Sequence, residues 1–131
     1  MEQEFYKYQG TGNDFILIDD RSLNFPEKDV SLVARLCDRR FGIGADGLIL
    51  IQNAATSDFK MVYFNADGNE STLCGNGARC FAIFVREKKL TDKEHILVET
   101  KKGIIMVPAL FIKVTRASHQ TSVDKPEKVS I

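Results

Sequence analysis

The stretch Cys74-Gly75-Asn76-Gly77-Ala78-Arg79-Cys80-Phe81-Ala82-Ile83-Phe84-Val85-Arg86 decides the fold. Two glycines and an Asn open a helix that the spacing carries to about Lys89. From Ala78 to Val85 that helix is apolar nearly all round, with Arg79 the exception. A helix apolar on every side is normally buried on every side. In a single small chain the simplest way to bury it is a sheet curled around it.

The flanking segments supply that sheet. Residues 4–8 and 15–19 read as strands joined by Gly10-Thr11-Gly12-Asn13-Asp14, a tight loop in which glycine permits dihedrals that other residues avoid. Val33, Leu36 and Cys37 recur at helical spacing between Asp29 and Arg40, and Gly42 is a natural stop. The glycine-rich loop Phe41–Gly47 leads into a strand at 48–52. A further strand at 59–65 meets the turn Ala66-Asp67-Gly68-Asn69. Strands at 95–100 and 103–107 complete the wrap. Beyond Pro108 the pattern weakens: residues 110–115 offer one more strand, and the polar stretch 117–131 reads as loose. The expected class is α/β (α+β), a curled, mainly antiparallel sheet wrapped around a central apolar helix.

Composition narrows the function. The 131 residues fit one domain. Apolar residues make up 44%, and 18 Lys+Arg balance 18 Asp+Glu. A net charge of zero gives no footprint for nucleic acid or an anionic membrane. Met1-Glu2-Gln3-Glu4 is acidic where a signal peptide is positive, and the apolar run 104–112 is broken by Pro108. Three cysteines without CxxC spacing argue against a disulfide framework or zinc ribbon and for a reduced, cytoplasmic setting. No metal or cofactor is called for.

Cys74 is the sharpest candidate for chemistry. Free backbone N–H groups and the positive end of a helix dipole favour anions there and would lower a thiol pKa. Free cysteine also behaves as a small hydrophobe, so a packing role stands beside the reactive one. Cys37 and Cys80 lie on apolar faces and read as packing. The glycine loops lack the spacing of dinucleotide or triphosphate motifs. With Asn13, Asn65 and Asn76 they suit orienting a small zwitterion. Asp14, Asp46, Asp67 and Glu70 read as hydrogen-bonding devices of turns.

Four segments together carry a resemblance: Lys7 to Phe15, Asp38 to Gly47, Phe64 to Glu70 and Cys74 to Cys80. In this order they resemble the diaminopimelate epimerase family, and the likeness reaches through Val98-Glu99-Thr100 and Gly103, roughly residues 4–107. The resemblance implies a cofactor-independent isomerase of lysine and peptidoglycan-precursor synthesis, interconverting LL- and meso-diaminopimelate. It implies two similar lobes, each a curled sheet around a helix, with substrate between them. Two cysteines then face opposite sides of the substrate α-carbon, one as thiolate base and one as thiol acid. Position by position, Cys74 matches the catalytic cysteine of the N-terminal lobe. Asn13 and Asn65 match substrate-contacting amides, and Gly75 and Asn76 match the cradle for the substrate carboxylate. Gly47 falls where some members place a substrate-contacting Gln. Proline-racemase-like proteins usually have His where this chain has Asn76, and phenazine-biosynthesis-like isomerases use a carboxylate base.

The resemblance covers one lobe. Residues 1–107 are expected to form it and 108–131 a divergent, partly disordered tail. The junction Val107-Pro108-Ala109-Leu110 is expected to mark a truncated or frameshifted product, with a natural short paralogue as the alternative. Three readings follow: an N-terminal half that is inactive until a C-terminal lobe is supplied; a non-catalytic amino-acid-binding or self-associating protein, such as a homodimer; and a thiol or redox role for Cys74.

Overall fold

The computed structural model describes residues 1–10, 12–72, 75–109, 114–116 and 126–131. Its elements run β1 (Glu2–Gly10), β2 (Asn13–Asp19), α1 (Val30–Cys37), β3 (Gly47–Gln52), β4 (Phe59–Asn65), α2 (Gly75–Glu87), β5 (His95–Thr100), β6 (Gly103–Pro108), β7 (Val114–Arg116) and β8 (Glu127–Ser130). The strands form one sheet in the order β6-β5-β4-β3-β2-β1-β7, with β8 also pairing β1. Among the described strand pairs, β2–β3 and β4–β5 are parallel and the others antiparallel. The sheet is therefore mainly antiparallel, as expected.

The four-residue apolar runs of β2 and β3 explain the layering. In a strand, successive side chains point to opposite faces. Phe15, Leu17, Ile49 and Ile51 join one core around α2, whereas Ile16, Ile18, Leu48 and Leu50 join a second core under α1. Both faces are covered, so the strands can be apolar without alternation. On β4 the same parity sends Met61 toward α2 and Val62 and Phe64 toward α1.

Helix α2 is buried as its sequence requires: Cys80, Phe81, Ala82 and Val85 have no exposed surface. It packs against β1, β2 and β3 in the middle of the sheet and against β6 and β7 at its two ends. Strands from opposite ends of the sheet order meet one helix only if the sheet curls around it. Tyr6 and Tyr8 on β1 meet Phe84 edge-on, with ring centroids 5.0 and 5.7 Å apart. Full burial of each such aromatic contributes on the order of 1.5–3 kcal/mol.

Helix α1 ends for a reason beyond the glycine stop. Its last carbonyls accept from the loop that follows: Ile43 and Gly44 N–H donate to Leu36 O at 2.9 and 3.1 Å, and Ala45 N–H to Cys37 O at 3.0 Å. Those groups would otherwise lack partners at a helix end. A Cβ on Gly42 would lie 1.9 Å from Arg35 O, so the chain can turn this closely only with glycine there. The polar end, read from sequence as loose, contains strand β8, whose residues Glu127–Ser130 pair antiparallel with Glu2–Phe5. No helix among the described residues is long and apolar enough to cross a membrane.

Candidate active site

The α2-facing ends of the central strands converge under the first turn of α2. Gly10 and Asn13 close the β1–β2 hairpin. Phe15 of β2 pairs with Gly47 of β3, which pairs in turn with Asn65 of β4. Asn13, Phe15, Gly47 and Asn65 thus share one face at one rim of the sheet. A Cβ on Gly10 would lie 3.0 Å from Cys80 Sγ and 3.6 Å from Asn76 O, so the hairpin tip and the start of α2 are in close contact.

Across that contact, Asn76 Nδ2 donates to Asn13 Oδ1 at 2.7 Å. Asn13 Nδ2 donates in turn to Asp46 Oδ2 at 3.1 Å. A carboxylate only accepts, so Asp46 fixes which end of the Asn13 amide faces which neighbour. Gly75 is exposed and has open space on its Cβ side. Asn13 and Asn76 are half-buried, and Asn65 is exposed at the end of β4. Gly47 is buried, with Tyr63 lying against the place where a Cβ would stand. The structure therefore brings Asn13, Asn76 and Gly75 together on one side of the rim, with Gly47 and Asn65 beside them. Cys74, the expected catalytic residue, lies outside the described residues.

The aspartates serve the loops, as their turn setting indicates, and they do so through a network. Asp14 accepts from Lys7 Nζ at 3.0 Å and from both Arg39 nitrogens at 3.0 and 2.8 Å. Arg39 also donates to Asp46 Oδ1 at 3.0 Å. The Asp46 N–H donates to Asp14, and the Asp14 N–H donates to Asp46. Lys7 is buried and donates to Gly44 O as well. Arg39, with Lys7 next, holds the Asp14 carboxyl well below the usual carboxylate range against the opposing effect of burial. This network ties the loop after α1 to the β1–β2 hairpin, and Asp46 carries its order to Asn13. The sequence marked each aspartate as a local device; the pairing with Arg39 spans 25 residues and had no local signal.

Cys37 and Cys80 are buried. Burial pushes the Cys37 thiol up to about 11, which suits packing and not proton transfer near neutrality. Asp67 accepts from Asn69 N–H at 2.9 Å, closing the turn after β4. A cavity of about 530 Å³ walled by Glu2, Glu4, Asp19 and Tyr6 opens near Lys88, at the far end of α2 from this rim. Tyr63 is the rim residue that sequence reasoning missed, because nothing in its motif marks its lean over Gly47.

The fold is shared with other solved structures. A Bacillus anthracis phenazine biosynthesis protein of the PhzF family superposes with TM-score 0.66 at 22% identity, over 82% of this chain and 36% of that one. A hydroxyproline epimerase from Agrobacterium vitis does so with TM-score 0.64 at 12% identity, over 90% of this chain and 38% of that one. The family model for diaminopimelate epimerase matches residues 5–125. The chain belongs to the diaminopimelate epimerase family. The diaminopimelate epimerase of Flavobacterium psychrophilum is 62% identical over 95 residues, covering 72% of this chain and 37% of that protein. That of Carboxydothermus hydrogenoformans is 41% identical over 130 residues, covering 98% of this chain and 47% of that protein. The chain thus spans less than half the length of these relatives. The matched span runs past Pro108, beyond the point where the motifs end.

Proposed function

We propose that this chain is the lobe of a cofactor-independent diaminopimelate epimerase that supplies one of its two catalytic thiols. Cys74 exchanges the α-proton on one face of the substrate, as thiolate base in one direction and thiol acid in the other. The observation that carries this reading is the Asn13–Asn76 amide pair at the start of α2, fixed by Asp46. Each amide nitrogen has a second hydrogen beyond the one spent. Together with the N–H groups of the first turn of α2, these donors suit a carboxylate.

The chemistry needs that arrangement. An α-proton beside a carboxylate is a very weak acid, so negative charge developing in the transition state must meet fixed donors. A thiol titrates close enough to neutrality to work in both directions. Residues 1–107 carry the motifs, and strands β7 and β8 beyond them pair with β1. The second acid belongs to a C-terminal lobe, and without it the lobe does not interconvert isomers. The partners are a small amino-acid substrate and that lobe, with neither nucleic acid nor membrane. Three cysteines without CxxC spacing favour a reducing, cytoplasmic compartment.

Proton NMR of LL-diaminopimelate with this chain in D2O, beside Cys74→Ala, tests the reading. It predicts no meso isomer from the chain alone. Meso product that disappears with Cys74→Ala would make the chain a complete epimerase. The second reading, a non-catalytic single-lobe protein that self-associates, is favoured by one observation. Leu97 and Met106 are exposed and directly paired on β5 and β6, with Ile104 exposed nearby.

A further inference from the structure

Tyr63 belongs to the β4 row that pairs with Ile49, yet its ring does not stay in that row. A Cβ on Gly47 would lie 2.7 Å from Tyr63 Cε1 and 3.2 Å from its hydroxyl oxygen. Gly47 sits one row nearer the rim, between Phe15 and Asn65. The phenol therefore leans toward the rim and covers Gly47, edge-on to Phe15 with centroids 6.2 Å apart. Glycine at 47 is what admits it. Any side chain there would meet the Tyr63 ring and, at 2.7 Å, the Phe64 carbonyl oxygen.

We propose that the Tyr63 hydroxyl is a specificity-determining contact of this site, donating to the distal carboxylate of a ligand whose α-carboxylate lies at the start of α2. The inference rests on the reading of the rim as an amino-acid site and adds to it the group that recognises the far end. The hydroxyl stands where a side chain of residue 47 would begin, so it is delivered to the rim from the neighbouring strand. Adjacent strands lie about 4.8 Å apart. The Asn13–Asn76 pair is over β2, Gly47 is on β3 and Asn65 is on β4, so the ligand lies across the strands. From the amide pair to the β3–β4 side is then about 5–10 Å, a span matching an amino acid charged at both ends. A neutral hydroxyl donating to a carboxylate makes a charge-assisted bond, stronger than one to a neutral acceptor.

Tyr63→Phe removes the hydroxyl and keeps the ring against Phe15. The probes are LL-diaminopimelate and L-2-aminoheptanoate, which has the same seven-carbon chain but no charged distal end. Each is titrated into the isotope-labelled chain and its Kd read by NMR, with dispersed spectra showing that the variant is folded. Tyr63→Phe should weaken diaminopimelate about ten- to a hundredfold, the effect of one hydrogen bond to a charged group, and leave 2-aminoheptanoate unchanged. Equal diaminopimelate affinity in both proteins, or the same loss for both ligands, overturns the role of Tyr63 and leaves the site reading intact. A wild-type chain that binds neither ligand overturns the site reading and this inference together.

Discussion

Asn76 donates its side-chain amide to Asn13 across 63 residues of sequence, at 2.7 Å. This contact joins the β1–β2 hairpin to the start of α2, and its direction is set by Asp46. Asp46→Asn exchanges a pure acceptor for an amide that also donates. The side-chain amide resonances of both Asn13 and Asn76 should move in that variant, and diaminopimelate binding should weaken. If only Asn13 moved, the relay from Asp46 to Asn76 would not exist.

Asp14 gives the fold a pH dependence. Its folded pKa lies below the unfolded value of about 3.9, so the stabilisation is complete above about pH 5 and is lost as pH falls. Chemical denaturation from pH 6 downward should show stability falling toward pH 2, and Asp14→Asn should flatten that fall. At neutral pH the same variant should lose on the order of 2–3 kcal/mol, because buried Lys7 is left with one partner fewer. A variant as pH-sensitive as the wild type would place the acid dependence elsewhere.

The three cysteines should separate by reactivity. Cys37 and Cys80 are 3% and 0% exposed, and burial alone shields them from alkylation. Mild iodoacetamide on the native chain should add a single label, at Cys74, and none in Cys74→Ala. Peptide mass spectrometry reads this directly; labelling of Cys37 or Cys80 first would sink the assignment.

The outer face of the β5–β6 hairpin should make the isolated chain sticky. Leu97, Ile104 and Met106 are 44%, 51% and 62% exposed, and β6 ends the sheet order. An apolar face beside an unpaired edge invites association. Sedimentation velocity should show mass rising with concentration, and Met106→Lys should reduce it. Monomer at every concentration would show that this face does not drive association.

The parts of this structure legible in sequence are those set by local pattern. Ala78–Val85 pointed to a sheet curled around it, and the segments at 15–19 and 48–52 read as strands. Asn13, Asn65, Gly75 and Asn76 announced themselves as turn and helix-start residues. What depends on long-range packing stayed hidden. Arg39 carried no local signal, and it links Asp14 to Asp46. Tyr63 occupied an ordinary strand position, and its lean over Gly47, away from its register partner Ile49, is set by packing. Strand β8 is short and polar, so only its pairing with β1 defines it.

The central claim is that this lobe supplies the thiol for one face of the substrate. The most direct test joins residues 1–107 to the remainder of the Flavobacterium psychrophilum epimerase and follows LL-diaminopimelate in D2O by proton NMR. The account predicts loss of the α-proton signal with appearance of the meso isomer, and neither with Cys74→Ala in the same fusion. Undiminished conversion by the Cys74→Ala fusion would contradict it.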